Sequence, residues 1–173
     1  GVMIQMFNHG INIVGLWIVL DIIERQCGTR KISELGGLAQ KAPSLAIFAL
    51  IIALANIALP LTNAFVGEFM MFNGIFSSKI THYNVIFTVL AAISIILAAI
   101  YILNMIRKVF YGNSNAVTAA AQDIKWNQRL VLSVLVILII WLGVYPDSIL
   151  NLTHDLTDTI LKKSDVLPLL MKH

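Results

Sequence analysis

Ser44 to Phe76 reads SLAIFALIIALANIALPLTNAFVGEFMMFNGIF. These 33 residues hold one charge, Glu68, and far exceed the roughly 20 that a straight helix needs to cross a hydrocarbon layer about 30 Å thick. Something must interrupt the run, and Pro60 marks the place. Proline lacks a backbone N–H, and its ring clashes with the carbonyl four residues earlier. Thr62 and Asn63 follow directly. A helix broken inside a membrane leaves free amides and carbonyls, tolerated only where they are buried in protein or line a hydrated cavity. The expectation is one span over 44–76, broken near 60–64, with Pro60, Thr62, Asn63 and Gly67 forming and hydrating the break.

The same pattern extends outward. No Asp, Glu, Lys or Arg occurs in 1–20, 42–65, 80–106 or 130–146, and each stretch is long enough, or nearly so, to cross a bilayer. Only 12% of residues are charged and 58% are hydrophobic, too few polar groups for a water-facing surface. The expected fold is an all-α membrane protein in one region, 1–173. Its four transmembrane helices lie at about 1–23, 44–76 (broken), 85–111 and 130–146. Ile149, Leu152, Leu156 and Ile160 recur at helical spacing, which predicts an interfacial amphipathic helix over about 148–162. The small and polar residues of 112–128 read as an exposed connection, and no internal repeat is visible.

Loop charges give an orientation. Arg25, Arg30, Lys31 and Lys41 precede the second span, and Arg107, Lys108, Lys125 and Arg129 separate the third from the fourth. The second-to-third connection holds only Lys79, so the richer loops are expected on the cytoplasmic or equivalent side. The twelve basic residues form no cluster with interleaved aromatics, so nucleic acid is not an expected partner and lipid is. A lone Cys27 excludes an internal disulfide and reads as an inert interfacial thiol. The first span lacks the basic flank and short core of a secretory signal, and no start Met precedes it. The chain is therefore expected to be an internal stretch of a larger subunit.

Chemistry points to Glu68. An ionised carboxylate at bilayer depth costs about 2.5–3.5 kcal/mol on insertion scales, so it is expected to carry protons or ions from a hydrated interior. The alternative is a neutral acid that joins helices by hydrogen bonds. His9 lies on a polar stripe with Gln5, Asn8 and Asn12, and imidazole exchanges protons near neutral pH. A structural hydrogen bond is an equal alternative for it. Asn12, Asn56, Asn63 and Tyr101 are expected to serve packing rather than relay. His154 and Asp158 have i, i+4 spacing but no third metal ligand, so a solvated face is expected and no metal. No phosphate loop, dinucleotide fingerprint, nucleophile elbow or cysteine cluster is present, which places any redox chemistry on another chain.

Several motifs carry a family likeness: His9-Gly10, Glu34-Leu35-Gly36-Gly37-Leu38, Ala53 to Pro60, Phe65-Val66-Gly67-Glu68-Phe69, and Arg107 to Gly112. Together they resemble the C-terminal third of the subunit M family of NADH-quinone oxidoreductase, respiratory complex I. The resemblance implies an antiporter-like 14-helix membrane-arm subunit built from inverted repeats, of which these are the last four helices. It implies other membrane-arm subunits as partners and a bacterial inner membrane or equivalent energy-transducing membrane. Flavin, iron-sulfur clusters and quinone are then expected on partner subunits and no cofactor here. His9 matches the histidine of the central hydrophilic axis and Glu68 the acid of the outward half-channel. The sister subunit family carries lysine at that position, so Glu68 implies the M type. Leu59 to Asn63 lacks the glycines of many bacterial relatives around the break. The implied function is proton translocation driven by electron transfer elsewhere in the complex. Alternatives are the D-type subunit of a multisubunit sodium/proton antiporter, a hydrogenase membrane subunit, or a non-conducting spacer.

Overall fold

A computed structural model describes residues 1–79 and 82–151, with 159 and 162. All regular structure among the described residues is helical. Helix α1 spans Val2–Cys27, α2 is a single turn at Leu38–Lys41, α3 spans Pro43–Asn56 and α4 Asn63–Phe76. Helix α5 spans Asn84–Phe110 and α6 Trp126–Val144. Three of these, α1, α5 and α6, are long and apolar enough to cross a membrane, and α3 is a shorter apolar helix. Most of the expected interfacial helix over 148–162, and the pair His154 and Asp158, lie outside the described residues.

Helix ends differ from the sequence expectation where charge was taken as the end of a helix. Helix α1 continues past Ile23 to Cys27, carrying Asp21 and Arg25 as an i, i+4 ion pair at 2.9 Å. It stops at Gly28, whose φ of 70° is the left-handed conformation that glycine adopts freely. Helix α6 begins at Trp126 rather than Leu130, where the Gln128 side chain accepts from the Lys125 amide at 2.9 Å. The interruption after α3 covers 57–62 instead of 60–64. Proline explains the shift: the carbonyl that the Pro60 ring obstructs belongs to Asn56, the last residue of α3.

Helix α3 is the packed centre. Leu45, Ala49, Ile52, Ala53 and Ala55 are all at most 1% exposed, against α1, α5 and α6. Helix α1 runs antiparallel past α4 and then α3, with Gln5 against Glu68, Asn8 against Asn63, Asn12 against Ala55 and Gly15 against Ile52. Each step is three or four residues along α1, so one stripe of that helix serves both partners. Helix α5 instead leaves most of its large apolar side chains from Val85 to Ile100 exposed.

The two basic loops join on one side. Gly37 N–H donates to Tyr111 O at 3.1 Å, Thr118 Oγ1 to Gly36 O at 2.7 Å and Asn115 Nδ2 to Glu34 O at 2.9 Å. Gly37, with a φ of 65°, lies so close to 113–114 that a Cβ there would meet Ser114 Cα at 2.8 Å. Asp123 accepts from the amides of Ser44 and Leu45, capping α3 from a distant loop, and pairs with Arg129 at 3.6 Å. Burial works to raise its pKa, but the hydrogen bonds from Ser44, Ile124 and Leu45 outweigh it and hold the group below its ordinary value. Glu34, bonded by Thr29 and then Lys31, is likewise lowered. Asp21, Glu24, Glu34 and Asp123 are each paired with a basic side chain. Lys41, Arg107, Lys108 and Lys125 have no carboxylate partner among the described residues, which leaves this face positive.

Candidate functional site

The break between α3 and α4 is held in a conformation that costs energy. Ala58 and Leu61 have φ of 54° and 75°, and a non-glycine residue pays about 1–2 kcal/mol in that left-handed region. These are the positions where the absence of glycine matters: the backbone takes a glycine-like path without glycine. Such strain persists only where surroundings over-determine it. Gly143 of α6 supplies part of that constraint, because a Cβ there would lie 2.6 Å from the carbonyl carbons of Leu61 and Thr62.

Side chains from α1 supply the rest. Asn8 Nδ2 donates to Asn63 O at 2.7 Å and Asn63 Nδ2 returns to Asn8 O at 3.3 Å, a reciprocal pair with both residues fully buried. Asn12 Nδ2 donates to Ala55 O at 3.2 Å, serving a carbonyl in the last turn of α3. Asn63 Oδ1 accepts from Ala64 N–H at 2.9 Å, and Thr62 Oγ1 donates to Leu59 O at 2.6 Å across the turn. Asn12 and Asn63 thus each donate to a backbone carbonyl of a facing helix. Asn8 and Gln5 are the residues that sequence reasoning passed over, visible there only as members of the stripe.

Glu68 lies in the second turn of α4, half-buried. Its Oε1 accepts from Gln5 Nε2 at 3.3 Å, and its Oε2 is buried without a hydrogen-bond partner among the described residues. Gly67 allows this approach, since a Cβ there would meet Gln5 Cβ at 2.9 Å and Cα at 3.0 Å. Three more oxygens share the condition of Glu68 Oε2: Gln5 Oε1, Asn8 Oδ1 and Asn12 Oδ1. Buried polar atoms are nearly always bonded, so four orphans on neighbouring stretches of α1 and α4 set this region apart.

A cavity of about 440 Å³ adjoins three of these four residues, Gln5, Asn12 and Glu68. His9, Gln5 and Asn12 line it from α1, Asn56 from the end of α3, Glu68 from α4, and Ser94 and Tyr101 from α5. His9 and Glu68 therefore face one space, without a direct bond between them, and His9 is one helical turn from Gln5, about 6 Å along the axis. A second cavity of about 280 Å³ shares Asn56, Glu68 and Ser94 and continues along Met71, Phe72 and Ile75 toward the far end of α4. Glu68 stands on the wall common to both. Pro60 and Thr62 lie in the break and line neither cavity.

Comparison with known proteins gives this geometry its family. The NADH:quinone oxidoreductase/Mrp antiporter transmembrane family matches residues 1–94. The chain belongs to this family. NADH-quinone oxidoreductase subunit M of Rickettsia bellii is 36% identical over 164 residues, 94% of this chain and 32% of that protein. The chloroplastic NAD(P)H-quinone oxidoreductase chain 4 of Cryptomeria japonica is 31% identical over 95% of this chain and 34% of its own length. Among solved structures, respiratory complex I from Thermus thermophilus with bound NADH contains a chain similar at TM-score 0.61 and 31% identity, covering 71% of this chain and 25% of that one. The chain thus spans about a third of the curated relatives it matches. Membership in the oxidoreductase/antiporter family, with three spanning-length apolar helices, makes it an integral membrane protein of an energy-transducing membrane.

Proposed function

We propose that this chain is part of the proton-translocating subunit M of NADH-quinone oxidoreductase, and that Glu68 is its proton carrier. The single observation that carries the reading is Glu68 on the wall between two cavities, one of them shared with His9. In this reading α3 and α4 together form one broken span, the second of four, in an antiporter-like subunit of 14 helices. The described chain is one transmembrane region of that subunit, with other membrane-arm subunits as partners. Electron transfer takes place on those partners, which hold flavin, iron-sulfur clusters and quinone.

Protonated His9 releases a proton to water in the larger cavity, and the carboxylate of Glu68 takes it up. Glu68 then releases it through the second cavity toward the end of α4 opposite the basic loops, the outer side by the positive-inside rule. Pro60, Thr62, Asn63 and Gly67 serve by position. Pro60 and Thr62 shape the break, Asn63 ties it to α1, and Gly67 lets α1 approach Glu68. Water supplies the steps between His9 and Glu68, as buried polar oxygens around a roomy cavity permit.

Glu68→Gln in the assembled complex tests this. NADH oxidation is expected to persist while protons pumped per NADH fall by most of their value. Undiminished pumping by the assembled variant contradicts the role. Copurification of the full-length subunit with an NADH-oxidising arm separates this reading from a free-standing sodium/proton antiporter of the same family.

A further inference from the structure

The geometry points to Gln5 as a positioning residue that answers the protonation state of Glu68: its amide donates to the carboxylate through Nε2 and, turned over, accepts from the carboxylic acid through Oε1. The inference rests on the proton-carrier reading of Glu68. Gln5 Nε2 already donates to Glu68 Oε1 at 3.3 Å, while Gln5 Oε1 and Glu68 Oε2 are both buried and unbonded among the described residues. An ionised carboxylate only accepts hydrogen bonds, whereas the acid has one O–H to donate. A side-chain amide has both a donor and an acceptor, and rotation about one bond exchanges them. One residue can therefore hydrogen-bond Glu68 in either state without any helix moving.

Placement makes this specific. Gln5 is held against Gly67, the neighbour of Glu68, at a distance where even a methyl group on Gly67 would collide with it. The amide is thus fixed over the carboxyl by the closest approach of α1 to α4. Two other titratable groups face the same cavity, His9 from α1 and Tyr101 from α5. Helix α3 contributes only uncharged Asn56 to it, and α6 has no titratable side chain from Leu130 to Val144. Gln5 is the one side chain with a hydrogen bond to Glu68 among the described residues.

The test is the pH profile of protons pumped per NADH oxidised, in the assembled complex carrying Gln5→Met. Methionine is unbranched and similar in length, so it fits against Gly67. A hydrogen bond to a charged group is stronger than one to a neutral group, so loss of the amide costs the carboxylate more than the acid. The profile is expected to move to higher pH by about one unit. A merely structural contact changes amount or stability and leaves the profile in place. Should Gln5→Met fail to assemble, Gln5→Glu decides, because a second carboxyl beside Glu68 raises the pKa of one of the pair and moves the profile further the same way. An unmoved profile in an assembled variant, with Glu68→Gln still blocked, overturns this inference alone. Normal pumping by Glu68→Gln overturns it together with the reading beneath it.

Discussion

The basic face and the mid-helix break treat polar groups in opposite ways. On the face, all four described acids are paired, the two loops exchange backbone hydrogen bonds, and Asp123 caps α3 through two amides. Between α3 and α4, the backbone is tied as carefully, yet four side-chain oxygens stay buried and unbonded, three of them on residues that line a cavity. The difference lies in what each must do. A closed hydrogen-bond network fixes one arrangement, whereas a group that changes charge needs partners that can change with it. The segment between α3 and α4 therefore combines a tied backbone with unfinished side-chain bonding, and the proposed proton-carrier role of Glu68 draws on the second of these.

Forcing the rigid part apart gives the largest effect. Gly143→Leu puts side-chain atoms where the Leu61 and Thr62 backbone already sits, and overpacking of this kind costs about 3 kcal/mol or more. The full-length subunit is expected to lose assembly, read as loss of the complex on native gels; full assembly would show that α6 does not constrain the break. Next comes Asn63→Ala, which removes the bond from Asn63 Nδ2 to Asn8 O and the Ala64 cap, leaves the Asn8 bond to the Asn63 carbonyl in place, and costs about 2 kcal/mol. Unfolding of the subunit in SDS should then begin at lower detergent, and an unchanged midpoint would mean that the clamp is dispensable.

The basic face gives the smallest effect and a pH dependence. Asp123→Asn is expected to cost about 1 kcal/mol, since it weakens one cap and one partly exposed ion pair. The folded pKa of Asp123 is lowered, so its contribution is complete above the ordinary Asp value of about 3.9 and is lost as pH falls below that toward the folded value. Protection of the Ser44 and Leu45 amides, taken relative to their intrinsic exchange rates, should fall only in that acid range in the native chain. In Asp123→Asn, which keeps one of the two acceptor oxygens, protection should be lower and should no longer change across that range, and protection that follows the native chain would remove the cap from the account.

The helix end before Pro60 and the lone acid that follows it were legible in the sequence because both are local. An apolar run too long for one span, a proline, and one charge in the run need no knowledge of neighbours. The interruption is expected near 60–64 from the position of proline, whereas the ring acts backward on Asn56 and the chain leaves the helix at 57. The expected end of α1 near 23 falls four residues short, because the chain stays helical through Glu24 and Arg25 to Cys27. The clamp stayed hidden for a different reason. Periodicity shows that Gln5, Asn8 and Asn12 share a face, but not that this face meets residues 43 to 63 positions away. The left-handed Ala58 and Leu61 were equally illegible, because their residue types argue against the conformation that α1 and Gly143 impose.

The central claim, that the Glu68 carboxyl changes protonation in a wet site, is tested most directly by infrared difference spectroscopy on the assembled complex as pH is varied. The account predicts a carboxyl C=O band that grows as pH falls, shifts on transfer to D₂O and is missing in Glu68→Gln. A Glu68 band that neither titrates nor exchanges with deuterium would contradict it.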